Sequence, residues 1–231
     1  MNSAAFIRDN RKEQLAEVSV FLFLILPSMA LSFFAIRQGA FSFVLVAVSA
    51  ILRDLALVSL ILFFIWRNNE PISSIGWTFK NNRREISIGV LLYIPFFFGT
   101  GLLEKPLQAA GLSAPSTPLP SFLAARGKVE FLLAFILVVI VALAEETIFC
   151  GYLLLRFRAV TANQAVAVLL SAAVFSLGHG YEGSAGVVTV GVMGLVFALI
   201  YLWRRSLVAP MVMHFLQDFI GIVLLPLLPK G

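Results

Sequence analysis

Long stretches of this chain are apolar on every side rather than on one face. Runs of about 18 residues or more recur from end to end, each long enough at about 1.5 Å per residue to cross roughly 30 Å of hydrocarbon. Short clusters of arginine, lysine, asparagine and proline separate them. The pattern predicts helices near residues 18–36, 41–66, 86–103, 131–155, 165–179, 186–203 and 207–228. A membrane β-barrel would need apolar and polar positions to alternate, and these runs do not alternate. Continuous apolar stretches satisfy their backbone as helices. The expected fold class is therefore all-α, a polytopic transmembrane helical bundle of about seven spans, with six to eight as the range. Residues 1–231 are read as a single membrane domain, with 1–128 holding the N-terminal spans and an external loop and 129–231 the core helices.

Composition agrees with the pattern. Of 231 residues, 60% are hydrophobic and 13% charged, with a mean hydropathy of +0.98, so the charged surface of a water-soluble globule is missing. The net charge of +5 would suggest nucleic acid in a soluble protein, but the basic residues sit between apolar runs and act as a topology signal, so no nucleic-acid partner is expected. With the N-terminus cytoplasmic, the inner segments collect eleven basic residues, including Arg8, Arg11, Lys12, Arg67 and Arg156. The outer ones collect five: Arg37, Lys105, Arg126, Lys128 and Lys230. That count favours an odd number of spans in a bacterial inner or plasma membrane.

The first run, preceded by Arg8, Arg11 and Lys12, is too long for the apolar core of a signal peptide, the other reading it allows. Pro106, Pro115, Pro118 and Pro120 are expected to keep residues 104–130 from forming a helix, making them the longest external loop and a candidate lid. A single cysteine, Cys150, leaves no intrachain disulfide to form.

Ionisable groups at membrane depth cost several kcal/mol by most scales, so those present usually face the protein interior and do something. Seven fall inside the predicted spans: Arg53, Asp54, Glu145, Glu146, His179, His214 and Asp218. Glu145 and Glu146 are adjacent on one helix, about 100° apart in direction, and can have separate duties. Glu145 lies about 16 Å along its helix from Arg156, near the bilayer midplane, where an acid suits taking a proton from water and returning it to a leaving amine. His179 is flanked by Gly178 and Gly180, which let a helix or substrate approach closely. His214 and Asp218 stand four apart and share a face, with Pro210 one turn earlier as a candidate kink.

Each of these taken singly has an ordinary packing explanation; convergence of three helices on one cavity explains them together. Two carboxylates and two imidazoles can activate water and hold an oxyanion without a covalent nucleophile. The same donors could hold zinc, but His-x-x-x-His and His-Glu-x-x-His are absent, and no cofactor is expected. By the same ruler His179 lies about 24 Å from the cytoplasmic edge, deeper than Glu145, a mismatch that tilt or a broken helix must absorb.

The motifs Glu145-Glu146-x-x-x-Cys150, Phe175-x-x-x-His179 and His214-x-x-x-Asp218, in that order on three late helices, resemble the CPBP (Abi) family of CAAX-type prenyl-protein endopeptidases and bacteriocin-processing or immunity proteins. The likeness covers roughly residues 142–219, and the first three spans add only helical context. It implies an intramembrane endopeptidase acting on a membrane-embedded or lipidated peptide within the lipid bilayer. It further implies that Glu145 with His179 activates the water, that His214 and Asp218 stabilise the oxyanion, and that Glu146 supports the site.

Two positions depart from the pattern. Cys150 stands where the family usually has arginine, leaving Glu146 in need of another partner, with Arg53 as a candidate. Asp218 replaces the asparagine of the prenyl-protein enzymes, so it is expected to carry a proton or to pair with a charged His214. The first departure keeps open a catalytically silent relative that binds a peptide or membrane partner. A thiolate at Cys150 and a proton-coupled carrier are lesser alternatives, the carrier lacking any repeat symmetry.

Overall fold

The helices follow from the absence of alternatives: an apolar segment in hydrocarbon can satisfy its backbone only within itself. The computed structural model describes residues 11–35, 42–78, 80–114 and 120–228. Arg8, Ile36, Arg37, Phe41, Pro115, Pro118 and Lys230 lie outside the described residues. Among the described residues there is no strand.

In chain order the helices are α1 (Arg11–Ala35), α2 (Phe43–Arg67), α3 (Asn82–Ala109), α4 (Gly127–Glu145), α5 (Leu154–Thr161), α6 (Gln164–Leu177), α7 (Gly183–Arg204), α8 (Val208–Asp218) and α9 (Leu225–Leu227). π-helical segments fuse α4 to α5 and α8 to α9, and short 3-10 turns lie at Ile72–Ile75, Ser121–Leu123 and Gly180–Glu182.

Among the described residues, six stretches are long and apolar enough to cross a membrane: Arg11–Phe34 of α1, α2, α3, the fused Gly127–Thr161, Gly180–Arg204 and Val208–Leu227. The protein is an integral membrane protein, and many large apolar side chains on the outer faces of these helices, Phe23 and Leu102 among them, are exposed toward the surroundings.

Several boundaries differ from those expected. The fifth span is only α6, fourteen residues or about 21 Å, because the chain turns at Gly178 and His179 before it can cover the hydrocarbon. The helix expected at 131–155 runs from Gly127 to Thr161. Pro106 does not break α3, which ends at Ala109. Its ring forfeits the bond that an N–H at this position would give to the Leu102 carbonyl, yet the helix runs on three residues past it. Pro210 sits in the first turn of α8, where its missing N–H is an orphan anyway.

Packing makes the first helix part of the bundle. Val18, Phe21 and Ile25 of α1 are buried, and the Phe21 ring lies 5.3 Å from that of Tyr152. Arg156, expected at the cytoplasmic surface, is 1% exposed. Its guanidinium pairs with Glu17 at 3.3 Å and Glu70 at 2.8 Å and covers the Tyr152 ring at 4.9 Å. A buried cation is tolerable when paired and hydrogen-bonded in this way. Where α7 crosses α6, Gly194 leaves room for Phe175: a Cβ there would approach the ring to 2.8 Å. Close backbone approach at small residues is how helices associate in lipid.

Candidate functional site

The helix carrying the glutamate pair changes geometry at the pair itself. α4 ends at Glu145, and Glu146–Leu153 continues as a π-helix whose eight residues are all buried. Gly151 makes room for the packing here, since a Cβ on it would stand 2.7 Å from the Ile75 carbonyl. The 3-10 turn Ile72–Ile75 is thus wedged beneath the acids. Just beyond it, Trp77 Nε1 donates to Thr147 Oγ1 at 2.9 Å, and that hydroxyl donates to the Leu143 carbonyl at 2.6 Å. α8 behaves alike: the π segment Phe219–Leu224 starts immediately after Asp218. Such segments are frequent at functional sites because they re-aim side chains that a regular helix would fix.

His214 is the centre of the arrangement and is 3% exposed. Its Nδ1 hydrogen bonds to Glu146 Oε1 at 2.9 Å. Its Nε2 faces Asp218 Oδ2 at 3.5 Å and Glu145 Oε2 at 3.8 Å. Phe197 stacks on the imidazole with ring centres 5.6 Å apart, and Phe175 meets it edge-on at 5.9 Å. Three carboxyl groups from two helices therefore surround one ring.

The two glutamates differ in access. The Glu146 side chain is 3% exposed, while those of Glu145 and Asp218 keep 13% and 23%. The gap beside Glu146, lined by Phe149, Cys150, Ser171, Phe175, Gly194 and Phe197 among others, is too narrow to hold a water molecule. Of the three acids around this imidazole, Glu145 and Asp218 are the ones with exposed side-chain surface. Cys150 is 2% exposed within that tight lining and acts as packing.

His179 stands apart. Among the described residues, no hydrogen bond or ion pair joins it to Glu145, Glu146, His214 or Asp218. It lies past the end of α6, and its ring folds back so that Nδ1 is 3.2 Å from the Phe175 carbonyl, leaving Nε2 for other partners. Phe175 stands between the imidazoles, its centre 5.1 Å from His179 and 5.9 Å from His214. Tyr181, which carries no sequence signal of its own, packs on His179 at 5.8 Å and on Phe122 of the external loop at 5.7 Å.

The first three spans do more than supply context, because α2 enters the site. Asp54, 1% exposed, accepts from Arg53 Nε at 2.9 Å, and Arg53 Nη2 lies 2.9 Å from Asp54 Oδ1 and 3.9 Å from Glu145 Oε1. Arg53 thus partners Glu145, not Glu146 as expected; His214 is the partner of Glu146. The reason is direction: consecutive positions point about 100° apart, and α2 packs against the face that bears Glu145. Among the described residues, no group of three or more His, Cys, Asp and Glu side chains is arranged to hold a metal ion.

The core of this chain is similar to CAAX protease-like proteins. Residues 127–220 match the model of the Rce1-like family, described as type II CAAX prenyl endopeptidase Rce1-like. The matched stretch carries all three motifs, from α4 into the π segment after α8. No curated protein and no solved structure matches the chain. The family is one of proteases, so peptidase activity is the class of activity that this similarity supports.

Proposed function

We propose that this protein is a glutamate-dependent intramembrane endopeptidase that cleaves a membrane-embedded or lipidated peptide, in a bacterial plasma membrane. The observation that carries the reading is the His214 centre, gripped by Glu146 on Nδ1 and faced on Nε2 by Glu145 and Asp218, the two acids that keep access to the outside.

Glu145 is the base. It takes a proton from a water that enters on its side, and the resulting hydroxide attacks the scissile carbonyl carbon. The carbonyl oxygen becomes an oxyanion, for which an imidazolium at His214, held by Glu146, is the nearest donor. Asp218 beside it either accepts from that imidazolium or, carrying a proton, donates to the oxyanion. Collapse breaks the C–N bond, and Glu145 returns its proton to the departing amine, leaving a carboxylic acid and a free amine. His179 shares the water through Nε2 rather than by direct contact with Glu145, with Phe175 keeping the two imidazoles apart. The separation of 3.8 Å between Glu145 and His214 fits this account, since catalytic contacts are often long until substrate is present.

The test is cleavage of a membrane-peptide library by the purified chain in liposomes, read by mass spectrometry. New peptide ends should appear with the wild-type protein and vanish in Glu145→Ala and in His179→Ala, both still folded. Unchanged cleavage in either variant overturns the mechanism. A second reading, a silent relative that binds a peptide or membrane partner, draws on Cys150 at the family's arginine position and on the tight gap beside Glu146. It expects partner binding that survives both substitutions, without new peptide ends from any variant.

A further inference from the structure

Arg53 lies near the middle of the 25-residue helix α2, outside the residues that match the family. A guanidinium at that depth is costly unless it is compensated. Here the compensation comes from Asp54, which binds Nε and Nη2 through a single oxygen, and from Glu145 at 3.9 Å. Among the described residues, no other lysine or arginine forms an ion pair with Glu145, Glu146 or Asp218.

This matters because of crowding. Glu145, Glu146 and Asp218 converge on one imidazole, with the Asp54 carboxyl and the Tyr181 phenol also facing Glu145, and like charges in so small a space oppose one another's ionisation. A protonated Glu145 could not accept a proton from water. The group next to it that favours the charged carboxylate, apart from His214 itself, is Arg53.

We propose that Arg53, oriented by Asp54, is a positioning residue that keeps Glu145 ionised and turns its Oε1 toward α2, leaving Oε2 toward His214 and the incoming water. This rests on the endopeptidase reading for its consequence in the reaction, while the pair itself can be tested without substrate. Asp54 acts as the clamp: with Nε and Nη2 both on Oδ1, the guanidinium plane is fixed, and the edge beyond it is presented to Glu145. The arrangement also explains why a buried aspartate accompanies the arginine, since Arg53 alone would have one long contact to hold it in place.

The experiment compares wild type with Arg53→Gln, Arg53→Lys and Glu145→Gln, all full-length and purified in detergent. Dicyclohexylcarbodiimide, which modifies protonated carboxyls in apolar surroundings, is applied and its adduct located by peptide mass spectrometry. Glu145 should resist in wild type and in Arg53→Lys and react at least fivefold faster in Arg53→Gln; the adduct should be missing in Glu145→Gln. Equal labelling of wild type and Arg53→Gln overturns the proposal, whether or not a substrate has been found. Should Arg53→Gln not fold, Arg53→Met serves in its place, since it keeps the apolar stem.

With a cleavable peptide, Arg53→Gln should lower kcat at least tenfold at neutral pH with little change in KM. The acid limb of its rate profile should move to higher pH, and Arg53→Lys should restore most of the rate. Altered labelling with no cleavage by wild type would sink the endopeptidase reading and leave the pair standing. Cleavage with an Arg53→Gln profile identical to wild type would do the reverse.

Discussion

Near one end of the long α4–α5 rod the buried cation of Arg156 is matched by two acids, while half-way along the same rod Glu145 and Glu146 crowd with Asp218 around one imidazole. Around Arg156, Glu17 alone receives hydrogen bonds from Arg67, Asn68 and Tyr152 and pairs with the arginine, while Glu70 binds Nη1 at 2.8 Å. Around His214, Glu145 Oε2 and Glu146 Oε2 are buried without a hydrogen-bond partner among the described residues, and two of the contacts to Nε2 are longer than a hydrogen bond. The first cluster ties α1, the end of α2 and α5 together. The second gathers three acids on one imidazole and has an exposed flank at Asp218. Buried charge in a membrane can therefore serve as a fastening or as a reactive centre, and the charge balance and the exposed flank tell the two apart, since unpartnered polar atoms occur in both: Nε and Nη2 of Arg156 and Oε2 of Glu70 in the first, Oε2 of Glu145 and of Glu146 in the second.

Substituting one charge in each cluster should separate them. Glu145→Gln should lower cleavage by about 10²–10⁴-fold, the range for loss of a general base, with the melting temperature in detergent preserved. Arg156→Met should do the opposite. It leaves Glu70 without its cation and Glu17 with Arg67 alone, a loss of about 3–5 kcal/mol, and should appear as a melting transition lowered by many degrees or as failure to recover folded protein. If Arg156→Met melts like wild type, the fastening role is wrong. If Glu145→Gln unfolds, the two clusters do not differ in kind.

Smaller changes sharpen the contrast. Gly151→Ala pushes a methyl against the Ile75 carbonyl and should cost about 1–3 kcal/mol, as overpacking does. Because the 3-10 turn sits under the glutamates, cleavage should fall by more than the melting shift alone accounts for.

The weakest effect is expected at the rim. Ser113 caps α7 from outside its own helix: its hydroxyl accepts from Ser184 N at 3.0 Å and its carbonyl from Ala185 N at 2.9 Å. Ser113→Ala should cost about 1 kcal/mol, the usual price of a lost cap, and speed amide exchange at Ser184 while leaving the exchange of α4 unchanged.

Much of this was legible in the chain. All-round apolar runs dictate helices in a membrane because nothing else closes the backbone hydrogen bonds there. The seven ionisable groups inside those runs, being costly, marked where to look, and the matched family stretch carries five of them. The i,i+4 spacing of His214 and Asp218 puts them on one face of a helix. Other features had no one-dimensional signal. Glu146–Leu153 reads as an ordinary helix, and nothing in its residues announces the π geometry. Pro106 reads as a break and Pro210 as a candidate kink, yet α3 runs on three residues past the first, and the second sits in the first turn of α8, where its missing N–H breaks no bond.

The sequence by itself determined the solvent, the helical class and the short list of chemically expensive residues, because local hydropathy and desolvation cost are properties of the residues alone. Only the tertiary structure decided which of those residues meet. It joined Arg53 to Glu145 rather than Glu146, set Phe175 between the two imidazoles and drew Arg156 from the predicted surface into a buried clasp. Those pairings depend on helix rotation and crossing, and an ion pair exists only where two elements distant in the chain turn the right faces toward each other.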